Sequence, residues 1–367
     1  MTKLTWQKFG DVIGKAPIAF SPDSKTFIAC SIDPDLRSFK FWDISETPNF
    51  YRFQFINTSL SFGGYDFWFY PCLAISPDAQ KLAIYNGFDI ELWDLSSGRF
   101  LDSFFLADEI DRHYDLEKPL LRISFISNKK LIFELILGDS YLFYTWKYMY
   151  EYNRRCLNYL GISRFPESCP ILSFCHDRSL FLVMNYNLQI ISLTKIKSNT
   201  PLEIDNNIPN YYDEYNETKY LEFQVVREIK IDNVIPTCLN VSQTGSFLVV
   251  GYSDGIIRFY DAGTGELIRC FSKHSSSVKS VAISPDCRSI ASVGESVDLE
   301  TNIKVWDTVT GELNANLTNS TGAINSLLFS PDSTKLAASS DSQVTLFALK
   351  PEPSEPIVYM DDDDVPF

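Results

Sequence analysis

The residues able to carry chemistry are few and scattered. The 367-residue chain holds three histidines, His113, His176 and His274. None stands in an HExxH arrangement or beside a cysteine pattern with metal-ligand spacing. His176 directly follows Cys175, which would suit a thiolate–imidazole pair, but neighbouring residues of a strand face opposite ways. The eight cysteines (30, 72, 156, 169, 175, 238, 270, 287) never form a CxxC pair, and most sit in apolar, strand-like runs such as PCLAI around Cys72. That usage reads as buried free thiols in a reducing compartment. His113 lies in LADEIDRHYDLEKP (106–119), where Glu109, Asp111, Asp115 and Glu117 surround it. A carboxylate-rich metal site is one reading of this segment, and a solvated loop or short helix is the plainer one. GxGxxG and GxxxxGK[ST] are absent from the sequence, so no phosphate-cradling loop is indicated. These residues suggest no catalytic set, no cofactor and no resident metal.

The elements that must position any site follow a repeat. Four blocks are near copies: AFSPDSKTFIAC from Ala19, AISPDAQKLAIY from Ala74, AISPDCRSIASV from Ala282 and LFSPDSTKLAAS from Leu328. Each reads as a strand, a tight turn and a second strand, with Pro fixing φ at the second turn position and Asp capping the turn backbone. A third strand follows each: FKFWD (39–43), IELWD (90–94), IKVWD (303–307) and VTLFA (344–348). A fifth copy, Leu239 to Leu267, lacks the Pro but keeps the rhythm. Two looser copies span 122–148 and 171–195. Alternation in 303–307 sets Ile303, Val305 and Asp307 against Lys304 and Trp306. After the third strand comes a polar turn such as DTVTGEL (307–313) or DAGTGEL (261–267), then a weaker fourth strand.

Seven such units, about 51 residues apart between Ser21 and Ser330, are each too small to bury their own faces and must stack. The expected fold is all-β: a seven-bladed β-propeller of four-stranded antiparallel blades, residues 1–350 forming a single domain. Its units fall at about 16–60, 70–110, 120–165, 170–196, 236–272, 278–318 and 324–350. Residues 1–10, around Leu4 to Phe9, are expected to close the last blade as its fourth strand.

SPDxxxxxA, xxxWD and the GEL that follows resemble the WD40 repeat family over essentially the whole chain, most closely in units five to seven. The resemblance implies a structural hydrogen-bond tetrad of His, Ser or Thr, Asp and Trp in each repeat. Carried onto this sequence, it falls on His274, Ser292 and Trp306 in the sixth unit, with Glu300 or Asp298 in the Asp place. The fifth unit keeps Asp254 with Tyr260 in the Trp place, and the seventh keeps Asp341 with Phe347. His274 is thus a structural residue rather than a catalytic one. Trp42 and Trp93 are expected in the core between blades. The family's roles span chromatin complexes, RNA processing, ubiquitin ligase substrate receptors and trafficking.

Function is expected where the repeat is broken, since loops on a rigid frame carry binding. The first departure is SFGGYDFWFYP (61–71), whose Tyr65, Phe67, Trp68, Phe69 and Tyr70 cannot all face inward from one strand and would offer a partner an aromatic hot spot. The second is the acidic, Tyr-rich insertion 197–224, with Tyr211, Tyr212 and Tyr215. The third is the acidic tail 351–367, in which Asp361, Asp362, Asp363 and Asp364 repel one another. Packing on the parent blade, or plain solvation, is the alternative for each.

Composition agrees. Aromatic residues make up 14% of the chain, favouring strands. The net charge is -15, from 32 basic and 47 acidic residues. A field of that sign disfavours direct nucleic-acid binding and suits partner proteins with basic surfaces. No run of about 18 apolar residues indicates membrane insertion. Met1 to Gly10 lacks a signal-peptide core, so a cytoplasmic or nuclear location, not secretion, is expected. The reading is a non-catalytic protein–protein interaction scaffold, a WD-repeat subunit of a hetero-complex. The alternatives are a module or substrate receptor reading Lys/Arg-bearing peptides, and a propeller-type enzyme, which would need a convergent polar set in a central channel.

Overall fold

A computed structural model describes residues 4–30, 39–45, 72–105, 122–147, 156–164, 171–195, 221–229, 234–271, 274–295, 301–319 and 322–351, apart from 77, 79, 86–88, 96, 98, 128, 129, 138, 139, 176–179 and 185–187. These residues form strands joined by turns, in seven separate sheets in which every strand pair is antiparallel.

The first sheet is Lys15–Phe20, Thr26–Cys30 and Phe39–Asp43. The second is Cys72–Ile75, Lys81–Tyr85, Asp89–Asp94 and Phe100–Phe105. The third runs Arg122–Ser127, Lys130–Leu137, Ser140–Lys147 and Cys156–Arg164. The fourth runs Ile171–Cys175, Leu180–Met184, Leu188–Lys195 and Leu221–Ile229, so its last strand takes up the end of the stretch 197–224. The fifth is Pro236–Val241, Phe247–Tyr252, Ile257–Asp261 and Leu267–Phe271. The sixth is Val278–Ile283, Ser289–Gly294, Thr301–Asp307 and Leu313–Asn319. The seventh joins Ser326–Phe329, Lys335–Ser339 and Gln343–Pro351 to the N-terminal strand Leu4–Ile13.

The turn between first and second strands recurs with the same bonds. In the first sheet Ser21 Oγ donates to Asp23 and accepts from Thr26 N at 2.9 Å, while Ser24 N donates to Ser21 O at 2.8 Å. Ser76 with Asp78, Ser284 with Asp286 and Ser330 with Asp332 repeat the side-chain pair, and each serine is buried. The buried hydroxyl satisfies a backbone donor that would otherwise be orphaned, which fixes the hairpin register.

Cores lie between sheets. Trp306, Phe271, Val249 and Ile257 pack the fifth sheet on the sixth. Ile303 and Val305, on the other face of the strand carrying Trp306, pack the sixth on the seventh with Leu327, Leu336 and Phe347. Trp42, Phe27 and Phe20 meet Val344 and Leu346 of the seventh sheet and Val12 of the N-terminal strand. Ile28, Phe39 and Phe41 meet Leu82 and Ile84 of the second.

The expectation of a closed seven-bladed propeller of four-stranded blades is corrected. Six sheets have four strands, but the first has three, and the chain that would supply its fourth, after Ser45, lies outside the described residues. Among the described residues the sheets are not closed into a ring. First strands lie side by side from the first sheet to the second and third, from the fourth through to the seventh, and from the seventh to the first, while the third and fourth sheets meet through their outer strands, Cys156–Arg164 and Leu221–Ile229. The physical reason is that each sheet satisfies its backbone internally, so the repeat dictates sheets and their stacking faces but no hydrogen bond that would close a circle. The N-terminal pairing is directly seen: Leu4 to Ile13 runs antiparallel to Pro351 to Gln343, with an irregularity between Lys8 and Gly10.

Candidate functional site

The residues expected to do chemistry are absorbed into packing. Trp306 Nε1 donates to Ser292 Oγ at 2.9 Å, and Ser292 Oγ lies 2.8 Å from His274 Nε2. With Ser292 Oγ accepting from the indole, its own hydrogen is free to point at the imidazole. Burial, aided by the nearby Lys304 charge, lowers His274 to about 4, so the ring is neutral at pH 7. His274 N donates to Gly255 O at 2.8 Å, tying the start of the sixth sheet to the fifth. Asp298 and Glu300, the rivals for the acidic place, lie outside the described residues.

The fifth sheet solves the same problem differently. Tyr252 and Tyr260 share a buried hydroxyl–hydroxyl bond of 2.8 Å. Asp254 accepts Ile256 N at 3.0 Å and pairs with Arg258 at 2.9 Å, and the Arg258 guanidinium stacks 4.4 Å over the Tyr252 ring. Burial, then the neighbouring phenol, pushes Tyr252 up, and burial raises Tyr260. Arg258 and Tyr252 escape a search for the His–Ser–Asp–Trp pattern. Their signal is the pair of phenols eight residues apart on adjoining strands. In the seventh sheet Asp341 accepts from Asn325 Nδ2 at 2.6 Å, and Phe347 is buried with no polar atom to offer. Trp42 is buried. Trp93 is half-buried, donates to Glu91 at 2.9 Å and stands edge-on to Phe100.

The recurrent turns also link neighbouring sheets along one rim. Asp332 N donates to Ser24 Oγ at 3.1 Å, joining the seventh sheet to the first. Asp286 N donates to Ser333 Oγ at 3.1 Å, joining the sixth to the seventh. Ser24, Cys287 and Ser333 hold φ of 57°, 59° and 61°, a left-handed conformation costly for non-glycine residues. Gly245 takes that place in the fifth sheet at 66°.

Three of the described thiols are held in the protonated form. Burial pushes Cys238 up to about 12 and raises Cys30 and Cys287, leaving them protonated. Cys270 is exposed. Among the described residues no group of three or more His, Cys, Asp or Glu is placed to hold a metal ion. The partner-binding candidates Tyr65, Phe67, Trp68, Phe69 and Tyr70, Tyr211, Tyr212 and Tyr215, and Asp361 to Asp364 all lie outside the described residues, as do His113 and His176. No described helix is long and apolar enough to cross a membrane.

Comparison with known proteins falls on the later sheets. Residues 221–286 match the family model described as the anaphase-promoting complex subunit 4 WD40 domain. Residues 311–347 match that of the WD domain, G-beta repeat. The first stretch covers the last strand of the fourth sheet, the whole fifth sheet and the first strand of the sixth. The second covers the outer strand of the sixth sheet and most of the seventh. No curated protein matches the chain.

Proposed function

We propose, from the WD40-repeat matches over residues 221–286 and 311–347 and the repeat that runs through the chain, that it is a non-catalytic scaffold that holds partner proteins as a subunit of a larger assembly. The observation that supports this most directly is the use to which its reactive side chains are put. The imidazole of His274, the hydroxyls of Ser292 and the turn serines, and the phenols of Tyr252 and Tyr260 all bond to other parts of the frame. A frame so cross-linked suits the presentation of surfaces. One matched family is named for a subunit of a multiprotein complex, and the scaffold reading extends only that general role to this chain. The net charge of -15 favours partners with basic surfaces, and the free thiols of Cys30, Cys238, Cys270 and Cys287 accord with a cytoplasmic or nuclear location.

Affinity purification of the full chain from its native cell tests the proposal. Repetition with Trp68→Ala and with residues 357–367 removed then asks which departure from the repeat does the binding. Stoichiometric partners are expected with the unaltered chain. A protein recovered alone at every salt concentration would overturn the scaffold reading. Retention of every partner by both variants would remove the aromatic segment and the tail from it.

A further inference from the structure

We propose that the rim where the fifth sheet's outer strand meets the third-to-fourth-strand turn of the sixth docks an extended peptide segment of a partner protein that alternates apolar residues with Lys or Arg. This inference rests on the scaffold reading and assigns it a surface. The two turns concerned share a set of bonds. Thr264 N donates to Asp261 and Thr310 N to Asp307, both at 2.7 Å. Gly265 N donates to Asp261 O and Gly311 N to Asp307 O, at 2.7 and 2.9 Å. Gly265 and Gly311 hold φ of 74° and 80°. The residue that follows each Glu, Leu267 or Leu313, is exposed, but so is Phe100 at the same place in the second sheet. That exposure belongs to the repeat and argues for nothing further.

Val309 departs from the repeat, and Ile268 does so in part. Val309 is 74% exposed, where the sister turns carry Gly263 and Ser96. The turn forms the same bonds with Gly263, so it does not require the valine. Ile268 is 45% exposed, where the sixth sheet carries Asn314 and the second Leu101. Arg269 ties these two places together. Its Nη2 donates to Val309 O at 2.7 Å and its Nη1 to Thr310 O at 3.1 Å, across from the fifth sheet to the sixth. Val309 and Ile268 are thus apolar groups held out to solvent on a clamped junction. Leu267–Phe271 is the terminal strand of its sheet, so it offers one row of backbone groups to an added strand.

Charge selects the occupant. Glu266 and Glu312 are exposed beside the two apolar groups, and hydrogen bonds from the Thr310 and Val309 amides hold Asp307 below the usual carboxylate range. Against them stand Arg269, engaged by the turn, and one exposed guanidinium, that of Arg288. A second copy of the chain would bring another net charge of -15, and the chain's own tail would bring Asp361 to Asp364. Both are repelled, whereas Lys or Arg side chains are attracted. An added strand with alternating side chains carries its apolar set on one face of the sheet and its Lys or Arg set on the other.

The test uses the full chain and a fluorescein-labelled decapeptide of alternating Val and Lys, with a Val–Glu decapeptide as control, in 0.15 M KCl. Fluorescence anisotropy is expected to show saturable binding of the Val–Lys peptide alone. Ile268→Asn with Val309→Gly, the residues of the sister positions, is expected to weaken it at least tenfold with an unchanged melting temperature. Hydrogen exchange at 267–271 is expected to slow only on binding by the unaltered chain. Equal affinity in the double variant, equal binding of the Val–Glu peptide, or protection elsewhere in place of 267–271 would each overturn the proposal. Native partners separate the two levels of inference. Partners retained by the double variant leave the scaffold standing and remove this rim, while absence of partners from the unaltered chain removes the scaffold reading itself.

Discussion

His274 shows how a side chain suited to catalysis becomes a pH-dependent brace. Its imidazole is buried against Ser292 and lowered to about 4, while in the unfolded chain it titrates near 6.5. Between those values the unfolded state binds more protons than the folded one. The neutral ring's contribution is therefore complete above pH 6.5 and is lost as pH falls towards 4, a change of about 1–3 kcal/mol. Urea midpoints measured from pH 7.5 to 4 should fall across that window, and His274→Gln should flatten the fall. An unchanged slope in the variant would place the acid sensitivity elsewhere. The Tyr252–Tyr260 pair gives a second residue-scale expectation. Tyr252→Phe leaves the Tyr260 hydroxyl buried without its partner and should cost about 1–2 kcal/mol, whereas the double change to Phe should recover most of the loss. Denaturant titration of the three variants measures the coupling directly.

At the scale of the element, the hairpins built on Ser-Pro-Asp were readable because local chemistry dictates them. The hydroxyl and carboxylate bond within a few residues of one another, and strand alternation then sends Ile303 and Val305 to one core and Trp306 to the other. What could not be read was the left-handed residue that ends each turn, since Ser24, Cys287 and Ser333 have no intrinsic preference for positive φ. For Ser24 and Ser333 the reason lies in another sheet: Ser24 accepts from Asp332 N, and Ser333 from Asp286 N. The Arg258–Tyr252 arrangement was hidden for a similar cause, as it meets the same packing need with other residue types. Strain and bond oppose one another at Ser333, so substitutions there should diverge. Ser333→Gly relieves the backbone while losing the bond and should shift stability by less than about 1 kcal/mol. Ser333→Val loses the bond and sets a β-branched residue at positive φ, and should cost about 2 kcal/mol or more. Equal stability of the two in thermal melts would show that the left-handed turn stores no strain.

For the whole molecule, the repeat correctly conveyed stacked sheets and the return of the N-terminal strand to the last one, but stacking faces alone do not determine closure. The described interfaces between sheets are mainly apolar. The ion pairs Lys8–Asp11, Lys81–Asp78, Arg258–Asp254 and Lys335–Asp332 each join residues three or four apart in sequence. Those pairs stabilise turns and single strands, and at the surface such contacts contribute little. Opposing them is the mutual repulsion of a chain whose net charge is -15, a long-range term that grows as the chain compacts. Salt screens that repulsion more than it weakens pairs already in contact, because the Debye length falls from about 20 Å at 20 mM to below 10 Å at 0.3 M. The melting temperature should accordingly rise by about 1–3 °C between 20 mM and 0.3 M KCl at pH 7.5, by differential scanning calorimetry. A rise confined to sulfate salts would point to apolar burial instead, since excluded anions strengthen it without regard to net charge. A fall in KCl would mean that attractive pairs between sheets, and not short-range pairs within them, govern the electrostatics of this frame.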